Sequence, residues 1–225
     1  NGVPSSLNPQ YLSLKTQVQT WLADPTVLQG QSFTVAGHSL GGYLAAGLVA
    51  DFSANISHAY LYNAPGNNSL ITSVSQALGF STTPDASKIT SLRADAGISP
   101  VSTLGNDFSP PISIAIENQF LSDVPSPPLS LNHSQRVLTD ALAVYALFSE
   151  LAPTLSVSDM TALLKASSSQ NATTLESAAY ALAKLFMPGT SSIAAENREA
   201  LYTTLQSLQQ NTLFKQDSGL VQVKL

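Results

Sequence analysis

The stretch Gly37-His38-Ser39-Leu40-Gly41-Gly42 constrains the fold of this chain more than any other part of its sequence. It fits the pattern G-x-S-x-G. Before it lies a short apolar run, Gln31 to Gly37, with Phe33, Val35 and Ala36. After it comes Leu40 to Phe52, apolar almost all round through Leu44, Ala45, Ala46, Leu48 and Val49. The first run predicts a buried strand and the second a helix packed on a sheet. A serine at a sharp strand-to-helix turn is forced into strained backbone, so the residues two before and two after it must be small. Gly37 and Gly41 meet that need, and Gly42 extends the pattern. The hydroxyl then stands at the end of the sheet, where the Leu40 N–H can help to hold a developing oxyanion.

The rest of the chain supplies the sheet such a turn requires. Pro9 to Leu28 carries Leu14, Val18, Trp21 and Leu22 at three- and four-residue spacing, which predicts an amphipathic helix bounded by Asp24-Pro25 and Gly30. His58 to Tyr62 is a second strand, closed by Asn63-Ala64-Pro65-Gly66, and Lys88 to Ala94 is a third. Strands alternating with helices predict an α/β fold with a parallel sheet. Residues 97 to 130 are rich in Ser, Pro and Gly and predict loop, broken by a strand at Ile112 to Ile116. From Ser134 the texture becomes helical. One helix runs from Val137 to Phe148, and three more cover Ser156–Ser167, Thr174–Phe186 and Ile193–Leu208. Thr173-Thr-Leu-Glu176 has the spacing of a capping box. The expected organisation is an α/β portion over 1–133 and an all-helical region over 134–225.

Composition removes several classes of function. Charged residues make up 10% of the chain and its formal net charge is -5, with nine Lys and Arg scattered singly, so nucleic acid is not an expected partner. There is no cysteine, which excludes disulfides, thiol nucleophiles and cysteine-bound metals. No run reaches the roughly 18 to 20 apolar residues that span a bilayer. Asn1 to Leu7 lack the basic start and apolar run of a signal peptide, and an opening on Asn1 predicts an internal fragment. The cysteine-free, weakly charged composition points to secretion.

Ser39 needs a base, because a hydroxyl barely ionises at neutral pH. Three histidines are available. His38 sits inside the turn, beside the serine, with its side chain expected to point away. His58 starts a strand, at the end opposite Ser39 in a parallel sheet. His133, in a loop directly before a helix, is therefore the expected base. An acid must orient the imidazole, and the chain order serine, acid, histidine suits a turn of this type. Asp95 follows the alternating Ile89-Thr-Ser-Leu92-Arg-Ala and fits best. Asp107 and Asp123, in the long loop, are the runners-up, and Asp85 precedes the strand.

Two segments, Phe33-Thr-Val-Ala-Gly-His-Ser-Leu-Gly-Gly-Tyr-Leu-Ala-Ala and Tyr60-Leu-Tyr-Asn-Ala-Pro-Gly-Asn, resemble the class-three type of α/β-hydrolase lipase, which includes fungal triacylglycerol lipases and plant lipolytic enzymes. A third, Asn132-His-Ser-Gln-Arg-Val-Leu-Thr-Asp-Ala-Leu-Ala-Val-Tyr, resembles the lipase or phospholipase A1-like domains of large secreted bacterial proteins. The resemblance implies an α/β-hydrolase-type sheet, here an incomplete fragment. It further implies Ser39 as nucleophile, His133 as base, Asp95 as orienting acid, no cofactor, no metal, and an extracellular enzyme acting on lipid esters at a lipid–water interface. One feature departs from the family. Such lipases carry an Arg-Gly-Thr-like turn after an earlier strand, which provides the second oxyanion N–H, and this sequence has none. Lack of one donor costs roughly 3 kcal/mol, about a hundred- to thousandfold in rate. The expected source is an upstream fragment of the same protein; the alternative is a non-catalytic binding or effector module that keeps the turn as scaffold.

Overall fold

The structure, a computed structural model, describes residues 7–66, 83–95, 105–117, 133–167 and 174–220. Four strands among them, β1 (Phe33–His38), β2 (Ile56–Tyr62), β3 (Ile89–Ala94) and β4 (Ile112–Ile114), form one sheet in the order β1-β2-β3-β4. β1 pairs with β2 and β2 with β3 in parallel, placing Val35 beside Ala59 and Tyr60 beside Thr90. Helices α1 (Leu7–Ala23) and α2 (Leu40–Asp51) flank β1 in sequence, and α3 (Gln135–Leu151), α4 (Val157–Ser167), α5 (Thr174–Phe186), α6 (Arg198–Gln210) and α7 (Thr212–Asp217) follow the sheet. The chain is an α/β protein.

Packing divides it into two compact units, Asn1–Arg93 with Ile98–Ile112 and Ala94–Gly97 with Ser113–Leu225. Composition suggested a boundary at 133/134 instead. The difference has a local cause: from Ser113, within β4, the chain already belongs with the helices. Ile114, Ala115 and Ile116 are buried, and the Ala115 N–H donates to the Tyr145 hydroxyl of α3 at 3.3 Å.

In the first unit the core gathers α1, α2 and the inner faces of β1 to β3. Tyr11 and Val18, seven residues apart on α1, are fully buried with Leu14 and Leu22 beside them. Trp21, expected on that stripe, is 39% exposed and faces outward. α1 stops at Ala23 rather than Leu28. Pro25 disfavours helical backbone at Asp24, whose carboxylate accepts from the Thr26 N–H at 2.8 Å and its hydroxyl at 2.7 Å. Seven residues of α2 are buried, as its all-round apolar sequence requires. The two helices are joined by Asp51, which accepts from the Tyr11 hydroxyl and pairs with Lys15, both at 2.7 Å. Burial, helped by Asp51, pushes the Tyr11 phenol well above its ordinary pKa.

β1 departs from the expected buried strand. From Phe33 to Ala36 its residues alternate between half-buried and exposed, because one face of the strand, with Phe33 and Val35, is turned to the core; β2 likewise exposes Ser57 and Tyr60. An apolar run identifies a strand without saying whether both of its faces are covered.

In the second unit α5 packs on α3, α4 and α6. Buried Asp140 on α3 accepts from Arg198 Nε through both carboxylate oxygens at 2.9 Å and from the Tyr202 hydroxyl at 2.7 Å, tying α3 to α6. α6 begins at Arg198 rather than Ile193. Glu196 has φ 59°, and the Asn197 side-chain Oδ1 caps the helix by accepting from the Ala200 N–H at 3.0 Å. Asn211 ends α6 and caps α7 through Phe214.

Candidate functional site

β1 ends at His38, α2 begins at Leu40, and Ser39 alone makes the turn between them. Its backbone has φ 56° and ψ -127°, a region that L-residues rarely occupy and that costs about 1–3 kcal/mol to hold. The surroundings fix it there. The Ser39 N–H donates to Tyr62 O at 2.9 Å, anchoring the turn to the end of β2, and Ser39 O accepts from Gly42 and Tyr43 N–H at 3.0 and 3.3 Å, starting α2. Ser39 occupies the N-cap position, where a serine hydroxyl normally bonds the first turn, yet its side chain makes no cap bond. The N–H groups of Leu40 and Gly41, first in α2, have no intrahelical acceptor by construction.

The glycines explain why the turn closes. A Cβ on Gly37 would stand 2.2 Å from Gly41 O and 2.5 Å from Gly42 N, both backbone atoms. On Gly42 it would stand 2.6 Å from the Ala64 Cβ and 2.8 Å from Gly37 O. On Gly41 it would meet nothing within 4 Å. The sequence reading that gave Gly41 the steric role is thereby corrected. The second tight position is Gly42, because the helix returns toward β1 one residue later than the motif spacing suggests. Gly42→Ala should therefore lower the urea midpoint, by roughly 2 kcal/mol in stability. Gly41→Ala should be neutral or gain up to about 0.5 kcal/mol from helix propensity. Equal effects of the two would contradict this assignment.

The other sequence-predicted residues fall as follows. Asp95 directly follows β3, is exposed, and donates its N–H to Ile114 O at 2.7 Å. Its charge contributes to raising the Tyr145 phenol, behind the larger effect of burial. His133 is half-buried in the turn before α3, next to Ser134, whose hydroxyl caps that helix from Val137 N–H at 3.4 Å. Ser39 and Leu40 belong to the first unit, and Asp95 and His133 to the second. His58 is third in β2, paired in register with Thr34 near the start of β1 and so remote from Ser39 along the strands. Its Nε2 lies 2.8 Å from Thr90 Oγ1 and its ring 4.8 Å from that of Tyr60, which accounts for it structurally. His38 closes β1.

Among the alternative acids, Asp107 forms an ion pair with Arg93. Burial pushes its carboxyl above the ordinary range while Arg93 opposes the rise. Asp85 caps the short turn Ala86–Lys88 through Ser87, at the start of β3 and the wrong end of the sheet. Asp123 lies outside the described residues. Among the described residues no group of three or more His, Asp or Glu could hold a metal ion, and no helix is long and apolar enough to cross a membrane.

The fold and the turn together define an α/β protein with a strained serine between a parallel strand and its following helix. The chain matches no family model, and comparisons with curated proteins and with solved structures likewise found no match.

Proposed function

We propose that this chain is a serine esterase of α/β-hydrolase type, secreted by a bacterium and hydrolysing lipid carboxylic esters as a triacylglycerol lipase or phospholipase A1 does. One observation carries the reading: the φ 56°, ψ -127° backbone of Ser39, held between a parallel strand and a helix that its hydroxyl does not cap. Strained backbone at a polar side chain is retained where the strain serves a function, and the cost falls on the rest of the fold.

In this reading Ser39 Oγ attacks the ester carbonyl while His133 takes its proton. The Leu40 N–H donates to the oxyanion that forms on the carbonyl oxygen. Collapse of the tetrahedral species returns the proton from His133 to the leaving alcohol and leaves an acyl group on Ser39. Water, deprotonated by the same imidazole, then releases the fatty acid. Asp95 holds the imidazole in the tautomer that accepts from Ser39. The products are a fatty acid and an alcohol, and the chemistry needs no cofactor.

Fatty-acid release from triglyceride emulsions and from phospholipid vesicles tests the activity and separates the two substrate classes. His133→Ala should lower turnover by roughly 10³-fold or more, as removal of a base from such a unit does. His58→Ala should leave turnover within a few-fold, since it loses contacts with Thr90 and Tyr60 that lie away from Ser39. Loss of turnover in His58→Ala with retention in His133→Ala would reverse the assignment. A folded chain that releases no fatty acid from either substrate would favour the non-catalytic module.

A further inference from the structure

Four consecutive residues, Asn106-Asp107-Phe108-Ser109, are anchored at four points spread over β3, α2 and the turn after β2. A Cβ on Gly66 would stand 2.1 Å from Asn106 O and 2.4 Å from Asn106 C, so the turn after β2 presses its bare backbone onto this segment. Asp107 is ion-paired with Arg93 of β3. Phe108 packs against Tyr43 of α2, ring centroids 5.8 Å apart. The Ser109 hydroxyl accepts from the Ser91 N–H at 3.1 Å and lies 3.0 Å from its hydroxyl, both residues buried.

One of these anchors touches a residue bonded to the serine, and a second reaches the serine through the turn after β2. Tyr43, under Phe108, donates its N–H to Ser39 O at 3.3 Å. The turn that Gly66 ends carries Ala64, whose Cβ fills the space beside Gly42, and starts from Asn63, whose N–H donates to Leu92 O at 2.9 Å beside Arg93. Asn63 is fully buried with φ 45°, a left-handed backbone that asparagine tolerates, one position beyond the carbonyl that anchors Ser39. Two turns of positive φ thus lie at the ends of β1 and β2, paired through the Ser39 N–H to Tyr62 O bond, and residues 106–109 brace both.

We propose that Asn106–Ser109 is a positioning strut for Ser39, with the Arg93–Asp107 ion pair as its fastener. This rests on Ser39 being the nucleophile. Asp107 and Arg93 act as positioning residues: they fix the orientation of the turn and have no part in the bonds made and broken. A displacement of the order of 1 Å at a reacting group costs up to about a hundredfold in rate, so a loosened strut lowers the rate of attack more than it lowers stability.

The test is the rate at which a fluorophosphonate labels Ser39 in the full chain, normalised to the folded fraction from circular dichroism. Asp107→Asn should label roughly tenfold more slowly, with a similar fall in kcat for a soluble p-nitrophenyl ester and an unchanged KM. Arg93→Lys, which keeps the charge and loses the guanidinium fork, is the milder variant should Asp107→Asn not fold, and is expected to fall between it and the wild type. The exchanged pair Arg93→Asp with Asp107→Arg should recover part of the rate. Wild-type rates in folded Asp107→Asn and Arg93→Lys overturn the strut. So does a slowing that vanishes once the folded fraction is counted. If the wild type itself takes no label, the nucleophile assignment fails before the strut is reached.

Discussion

Ser39→Ala is expected to abolish ester hydrolysis, with turnover falling by about 10⁴- to 10⁶-fold, as removal of the nucleophile from a triad does. The chain should remain folded. The Ser39 side chain caps no helix, and the bonds that anchor the turn run through backbone atoms, from Ser39 N–H to Tyr62 O and from Gly42 N–H to Ser39 O. Alanine keeps those bonds and inherits the strain. Glycine at the same position makes a sharper test. Ser39→Gly should be equally inactive yet roughly 1 kcal/mol more stable, because glycine adopts φ 56° at little steric cost. A variant that gains stability as it loses activity is what a strained catalytic position predicts. If Ser39→Ala keeps its turnover, another residue is the nucleophile.

Gly37→Ala is expected to be among the most damaging single methyl groups that can be added to the first unit. The new Cβ would stand 2.2 Å from Gly41 O, 2.3 Å from Gly41 C and 2.5 Å from Gly42 N. Contacts under 3.0 Å are essentially never tolerated by a Cβ. None of the three atoms belongs to a side chain that can swing aside; all are in the first turn of α2. Relief requires α2 to lift from β1, opening the packing of a helix with seven buried residues. The cost should be roughly 3–5 kcal/mol, at the upper end for point substitutions. That is a large share of the about 5–15 kcal/mol that holds a domain together. Urea unfolding should show a lowered midpoint or no folded baseline, and an unchanged midpoint would mean that strand and helix are not in contact at this turn.

The elements around Ser39 were legible because they rest on local patterns. An uninterrupted apolar segment gave α2, short apolar runs gave β1 to β3, and Asp24-Pro25 marked the end of α1 within a few residues. What the sequence could not show depends on partners distant along the chain. Whether β1 is central or at the edge is decided by which strands join it. Whether Gly41 or Gly42 is the tight position is decided by Ala64, more than twenty residues downstream. The start of α6 was missed because the pattern from Ile193 is helical while Glu196 and Asn197 adopt cap geometry. Asp107 was weighed as an acid because it lies in the long loop; its pairing with Arg93 is a tertiary contact that spacing does not reveal. The Asn63-Ala-Pro-Gly66 turn shows in the sequence only as the end of a strand; that Gly66 presses on Asn106 is a tertiary contact.

If Ser39 is the nucleophile, it forms a covalent bond during turnover. Incubation of the full chain with a fluorophosphonate, followed by intact mass measurement and peptide mapping, reads that bond directly. The account predicts one phosphonyl group per chain, carried by the peptide containing His38-Ser39-Leu40 and absent from Ser39→Ala. A folded, unlabelled chain, or label on any other serine, would contradict it.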